Sequence, residues 1–279
     1  MHMQKDDYKK GSISHWEKDW AGKKANFSLT KPVDDWNYFD LFRDEYLERM
    51  LLKNKNILCL ECGCGSASTS LYFANKGAKA AMLDASISAL NIARENFSKY
   101  NLRGMFINGN MERLPFADDK FDLVMSFGVL EHFEDMAPSI KEMVRILKPG
   151  GTFFASVSPK KYSIQLVGNL INTVTRFIYN LKHRRFREAF FRSYPATPEF
   201  YENSLSSRQY VEIIEKCGLK NVKLSGSRPF PSLNILPSMF KIYIMFMKML
   251  KPLHLLFEMH TSKFTELWGV EWNIVGTKE

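Results

Sequence analysis

A chain of 279 residues with 45% hydrophobic and 25% charged residues has ample material for a packed core, which excludes a disordered or collagen-like polymer. Its formal net charge of +9 attracts phosphate, nucleic acid or an anionic lipid surface but says nothing about fold. Four cysteines, three of them between Cys59 and Cys64, make no disulfide framework. The polar start around Lys5, Asp6 and Asp7 lacks the apolar core of a signal peptide, so a cytoplasmic protein is expected.

Residues 1–50 are polar and aromatic, with Trp16, Trp20, Trp36, Tyr38 and Phe39, and read as a helical N-terminal arm ahead of a domain over 51–279. From Asn56 to Glu61 a short apolar run ends in an acid and meets a glycine turn at once, the pattern of a buried strand delivering its C-terminus to a loop. A helix follows over 67–76, closed by Gly77, then a strand from Ala78 to Asp84 and a helix over 86–100. Met105 to Asn108 and Phe121 to Ser126 predict two more strands. Residues 136–147 predict a helix stopped by Pro149-Gly150-Gly151, with a fifth strand from Thr152 to Val157. Such alternation predicts a parallel sheet with helices on both faces. Later come a helix over 206–217, a strand containing Val222 to Leu224 and a last strand from Trp272 to Gly276. Two long interruptions, about 159–205 and 227–266, separate these elements. The apolar stretch near 242–250 is broken by Lys248, so no membrane-spanning helix is expected.

The segment Glu61-Cys62-Gly63-Cys64-Gly65-Ser66-Ala67 lies between the first strand and its helix. Gly63 and Gly65 let backbone approach a ligand closely, and the helix N-terminus offers unpaired N–H groups. Asp84 closes the next strand, where an acid can accept both hydroxyls of a ribose. The dinucleotide fingerprint fails because Ser68 stands where its third glycine belongs, and no Gly-Lys-Ser or Gly-Lys-Thr completes a Walker loop. An acid directly before the glycines repels a pyrophosphate and suits a free amino group. Charge therefore favours an amino-acid-bearing nucleoside over a dinucleotide.

In these residues the chain resembles the class I S-adenosylmethionine-dependent methyltransferases of the small-molecule type. Glu61-x-Gly63-x-Gly65 matches their first motif, Asp84 their ribose-binding acid, and Gly109-Asn110-Met111-Glu112 the adenine-binding segment after the third strand. Phe121 to Ser126, running into Val129-Leu130-Glu131-His132, looks like the fourth motif, and Leu147 to Gly151 like the turn before the fifth strand. The likeness is close over about 55–157 and loose over 206–226 and 268–279. It implies a Rossmann-like sheet, mostly parallel with an antiparallel last strand, helices on both faces and helical insertions. The cofactor implied is S-adenosyl-L-methionine, released as S-adenosyl-L-homocysteine. The resemblance places Glu61, Gly63 and Gly65 near the methionine end, Asp84 and Ala85 at the ribose, Asn110 and Met111 at the adenine, and Ser126 or Phe127 beside the methionyl group. Asn110 replaces the usual Asp, yet its amide oxygen still accepts a hydrogen bond. Ala67 replaces a frequent third glycine.

His132, just past the fourth strand, is the candidate catalytic base for a hydroxyl acceptor; its bland alternative is a ring that orders the loop. Tyr162, Tyr194 and Tyr201, with Trp20 and Tyr38 from the arm, are candidate substrate contacts or plain packing. Cys59, Cys62 and Cys64 lack a fourth zinc partner and would crowd the cofactor loop, so no metal is expected.

Both insertions are expected to roof the site and define the acceptor. Residues 160–199 carry eight Lys and Arg against Glu188 and Glu199, with a cluster from Lys182 to Arg187 suited to phosphate or an anionic surface. Residues 235–251 are apolar, Met-rich and punctuated by lysines, which suits a greasy ligand, a membrane surface or a partner. Together they point to a small hydrophobic acceptor such as a lipid or quinone precursor, with peripheral membrane contact open and oligomeric state unread. Methylation of RNA through the basic insertion is the main rival, weakened by the lack of an appended RNA-binding module. A non-catalytic, cofactor-binding membrane-docking protein is the other.

Overall fold

A computed structural model describes residues 13–30, 35–51, 56–185, 201–233 and 237–279. Two helices, α1 (Ile13–Ala21) and α2 (Asp35–Leu51), precede a single sheet of seven strands. These are β1 (Leu58–Cys62), β2 (Lys79–Asp84), β3 (Met105–Asn108), β4 (Phe121–Phe127), β5 (Leu147–Val157), β6 (Leu219–Ser227) and β7 (Glu271–Lys278). They lie in the order β3-β2-β1-β4-β5-β7-β6. The first five are parallel, while β7 runs antiparallel to both β5 and β6.

The apolar runs of β1, β4 and β5 are buried on both faces, as central parallel strands require. Alternation then sorts neighbours to opposite sides. Leu60, Val124 and Phe153 enter one core with Met143 and Tyr210, while Cys59, Leu123 and Phe154 enter the other with Phe73 and Phe97. Helices α3 (Ser68–Asn75), α4 (Ile87–Lys99), α5 (Ala137–Ile146) and α7 (Ser207–Lys216) flank the sheet. The chain winds outward from β1 to β3, then restarts at β4 beside β1. That reversal opens a crevice at the strands' carboxyl ends, and the ligand site of such sheets lies there.

One difference from the sequence reading is the start of β5, which takes in Leu147 to Gly151 rather than following them. Leu147 pairs with Phe121 before the register shifts, so the glycine turn interrupts a strand.

The insertions supply α6 (Gln165–Lys182), α8 (Pro237–Met249), α9 (Lys251–Met259) and α10 (Lys263–Trp268). Ile244 and Met247 of α8 pack on Tyr38 and Phe39 of α2, each buried side chain contributing on the order of 2 kcal/mol. A buried polar network fixes α9. Glu258 Oε1 accepts from Ser227 Oγ and Arg228 N, both at 2.9 Å, and its Oε2 accepts from Asn273 Nδ2 at 3.0 Å. His254, one turn earlier, stacks on Phe42 at 3.5 Å.

Candidate active site

The first strand's loop is tied to its neighbour before any ligand arrives. Gly63 N and Cys64 N donate to the Leu83 carbonyl at 2.8 and 3.1 Å. Gly65 N and Ser86 N each donate to Asp84, at 2.8 Å to Oδ2 and Oδ1 respectively. Both glycines have positive φ, +67° and +50°, a region that favours residues without a Cβ. A Cβ at Gly63 would also stand 2.5 Å from the Val129 side chain, and one at Gly65 2.6 Å from the Trp20 ring. Ala67 adopts φ +55°, so the alanine in place of a third glycine carries about 1 kcal/mol of backbone strain at the helix entrance.

A cavity of about 800 Å³ opens above this loop. Glu61, Gly63, Gly65, Asp84, Ala85, Asn110, Met111 and Phe127 all line it. Burial pushes the Glu61 carboxyl up to about 7, opposed by the Ser70 side chain, the Ser70 N–H that donates to Oε2 at 2.9 Å, and Arg43. Burial likewise raises Asp84, opposed by the amides of Ser86 and Gly65. Asn110 Oδ1 accepts from Glu112 N at 2.9 Å, which fixes the amide at the cavity edge and leaves this oxygen a second lone pair.

Ser126 is placed elsewhere. It is fully buried, its hydroxyl donates to the Cys62 carbonyl at 3.1 Å, and it does not line the cavity. Strand alternation turns it away from the side that Phe127 faces.

His132 also lines the cavity. Its Nδ1 lies 2.7 Å from the Tyr201 carbonyl, and the Trp16 ring sits 5.0 Å from it. Burial holds the imidazole below its ordinary value, with backbone contacts to Tyr201 and Gly128 opposing the shift. Tyr201 thus reaches the site through its backbone; its ring is not in the lining. Tyr38 is buried between α2 and α8, away from the cavity, and Tyr162 is 83% exposed on the surface. Tyr194 lies outside the described residues. Of the arm's aromatics, Trp16 and Trp20 line the cavity. Helix α1 is held there by Glu17, which accepts from Ser86 Oγ at 2.7 Å and Ser88 Oγ at 2.5 Å. Trp20 shares the space over Gly65, so a ligand reaching that backbone displaces the ring.

Several site residues escape the sequence reading. Arg43 of α2 is half-buried at the cavity wall, paired with Asp40 at 3.1 Å and Asp44 at 3.3 Å. It donates to Thr69 Oγ1 at 2.7 Å and lies 4.2 Å over the Phe127 ring. Glu131, Glu202 and Glu271 also line the cavity. Glu131 Oε1 accepts from Ser158 N at 2.8 Å while its buried Oε2 has no partner among the described residues. Burial raises Glu131 to about 7. An acid directly before His132 was a usable signal for Glu131; nothing in the sequence pointed to Arg43.

Both insertions are expected to roof the site. Glu202 of the first lines the cavity, and residues 186–200 of it lie outside the described residues; among the described residues, none from α6, α8, α9 or α10 lines the cavity. The Met and Phe side chains of 240–251 either pack on α2 and its neighbours or face solvent. The three neighbouring cysteines are all buried and free, and burial pushes Cys59 up to about 12. No cluster of potential metal ligands occurs among the described residues.

Residues 60–155 match the family model described as a methyltransferase domain. This chain carries a class I S-adenosylmethionine-dependent methyltransferase domain. The methyltransferase is 26% identical over 229 residues to a ubiquinone biosynthesis O-methyltransferase of Coxiella burnetii, covering 80% of this chain and 86% of that one. It is also 26% identical over 204 residues to the demethylmenaquinone methyltransferase of Bacillus licheniformis, covering 71% and 85%. Among solved structures, a chain from the complex of the Haloferax volcanii Trm112 methyltransferase activator with a methyltransferase superposes with a TM-score of 0.55 at 16% identity, over 95% of each chain. The cyclase SpnF superposes with a TM-score of 0.54 at 13% identity, over 95% and 92%. A shared fold with a cyclase shows why the acceptor must be argued from the site. No described helix is long and apolar enough to cross a membrane.

Proposed function

We propose that the methyltransferase transfers a methyl group to a hydroxyl of a small, hydrophobic, uncharged acceptor. One observation carries this reading: His132 stands among Trp16, Val129 and Phe133 in the same cavity as the glycine loop and Asp84. The volume lies within the roughly 300–1,000 Å³ usual for small-molecule sites. Bound S-adenosylmethionine would supply a methyl already activated on a sulfonium, the sulfur keeping the C–S electron pair. The chain's own residues provide the rest. Asp84 would hold the ribose hydroxyls, with Glu61 towards the amino-acid end. Asn110 and Met111 border the base, and the arm helix excludes water. His132 in its neutral form is the group in the cavity that would take the hydroxyl proton as the new O–CH₃ bond forms.

Acceptor charge follows from the walls. Asp40, Glu131, Glu202 and Glu271 line the cavity against Arg43, the only Lys or Arg there among the described residues. Such walls disfavour an anionic acceptor and an RNA backbone alike. The names of the two relatives, a ubiquinone biosynthesis O-methyltransferase and a demethylmenaquinone methyltransferase, support a small quinone-type acceptor, and the first of them supports oxygen as the acceptor atom.

Methyl-labelled S-adenosylmethionine, the protein and a cell extract provide the test. Label in the organic-soluble fraction supports this reading, while label in RNA or in the anionic small-molecule fraction overturns it. With an acceptor in hand, His132→Gln should lower kcat about a hundredfold with little change in the KM for S-adenosylmethionine. Because burial lowers the folded-state value of His132, the neutral base persists below pH 6.5. The wild-type rate should therefore hold below that pH before falling on the acid side. A kcat profile with its acid limb above 6.5, or one that His132→Gln leaves unchanged, removes the histidine from the mechanism.

A further inference from the structure

Helix α6 is built the wrong way round for a helix that packs on a protein. A surface helix normally turns its apolar stripe inward. Here the stripe Leu166, Val167, Leu170, Ile171, Val174 and Ile178, spaced at helical intervals, is exposed throughout. The edge facing the protein is polar or small. Gln165 and Asn172 donate to the Ser232 carbonyl at 3.2 and 3.0 Å, and a Cβ on Gly168 would stand 2.6 Å from Pro231. The only residues of α6 that are buried are Gly168 and Asn180.

This face continues onto the other insertion. Phe230 meets Phe246 of α8 at 6.5 Å, and Tyr243 donates to the Pro231 carbonyl at 2.5 Å, so α8 docks on the same 229–232 segment as α6. The carbonyl of Trp268 accepts from Ile164 N at 3.0 Å, which brings the end of α10 to the start of α6. Ile242, Met245 and Met249 of α8 and Phe264 and Leu267 of α10 are exposed as well. Among the described residues, all but Ile13, Ile87 and Met105 of the exposed large apolar side chains lie between residues 162 and 268. Apolar exposure on this scale, on helices that adjoin one another, marks an interaction surface.

Charge selects the occupant. From residue 160 to 185 the chain has six Lys and Arg and no acid, and all but Lys161, whose Nζ donates to the carbonyls of Glu266, Leu267 and Gly269, are exposed. Lys241, Lys248 and Lys263 are exposed on α8 and α10. The only acids in α6, α8, α9 and α10 are Glu258, which is buried, and Glu266, which is bonded to Ser207 and Lys263. We propose that the outward face of α6, α8 and α10 docks on an anionic lipid bilayer, with the apolar stripe sunk among the acyl chains and the cations at the headgroups. A second copy docked through the same helix would set these cations against their own kind. Since no described helix can span a membrane, the contact is peripheral. The inference stands apart from the acceptor assigned above, because none of these helices lines the cavity.

Flotation of the full-length protein with phosphatidylcholine vesicles, with and without phosphatidylglycerol, tests it at low and high salt. Binding to the anionic vesicles should be about tenfold tighter than to neutral ones and should weaken with salt. Leu170→Glu with Val174→Glu should abolish flotation while S-adenosylhomocysteine affinity stays at the wild-type level, which also reports on folding. Should that pair fail to fold, Arg184→Gln with Arg185→Gln on the exposed end of the segment should still weaken anionic-vesicle binding severalfold. Absence of flotation overturns the proposal, as does flotation indifferent to the variant pairs that fold. So does a dimer in sedimentation velocity that Leu170→Glu dissociates and vesicles do not compete.

Discussion

Replacing Asp84 with alanine should raise the dissociation constant for S-adenosylhomocysteine by about two to three orders of magnitude in titration calorimetry. The carboxylate does two jobs at once. It accepts from Gly65 N and Ser86 N at 2.8 Å each, which holds the glycine loop and the start of α4 in one geometry. It also lines the cavity where ribose hydroxyls are expected to donate to it. Hydrogen bonds to a charged group contribute roughly 1.5–3 kcal/mol each, so losing two, near the lower end of that range, costs about 3–4 kcal/mol, which is about two to three orders of magnitude in affinity. Asp84→Asn separates the two jobs. It keeps one acceptor oxygen and the side-chain shape, so its loss should be the smaller. A change below tenfold in the alanine variant would take Asp84 out of the binding site.

What was legible in the chain was the part set by local pattern. Strands such as 105–108 and the helix over 87–99 follow from a short apolar run or a helical repeat bounded by turn residues, and their limits differ from the expected ones by a residue or so. The glycine loop was legible because few backbones need two glycines between a buried strand and a helix. Ser126 shows where pattern reading stops: a motif names a stretch of strand, but the pleat sends alternate residues to opposite sides. The insertions show another stop. The sequence shows 159–205 only as a long interruption, and it is the structure that makes 165–182 a helix whose Gly168 and Asn172 side meets the protein while its apolar side turns out. Arg43 was illegible for a third reason. Its partners come from α2 and α3, its ring contact from β4, and no spacing within Phe42-Arg43-Asp44 announces them.

That arginine makes the second large effect. Arg43→Met should destabilise the protein by about 3–5 kcal/mol, the usual cost of removing one member of a buried charge network, which lowers Tm by on the order of 10 °C for a chain of this size. Asp44 is fully buried, and burial pushes it up to about 7 even with Arg43 beside it; Glu61 stands at about 7 with Arg43 also pulling it down. Removing the cation sends both carboxyls higher. A group whose folded-state value lies above its unfolded one binds more protons when folded, so stability falls as pH rises from the unfolded value through the folded one. In the wild type that fall is complete just above pH 7, whereas in the variant it continues. The deficit should therefore be smallest near pH 6 and deepen through pH 8. Adding Asp44→Asn removes the stranded charge, and the double variant should recover part of the loss at pH 8 but little at pH 6. A deficit that is flat across this range would mean that Arg43 acts through its packing on Phe127 rather than through the carboxylates beneath it.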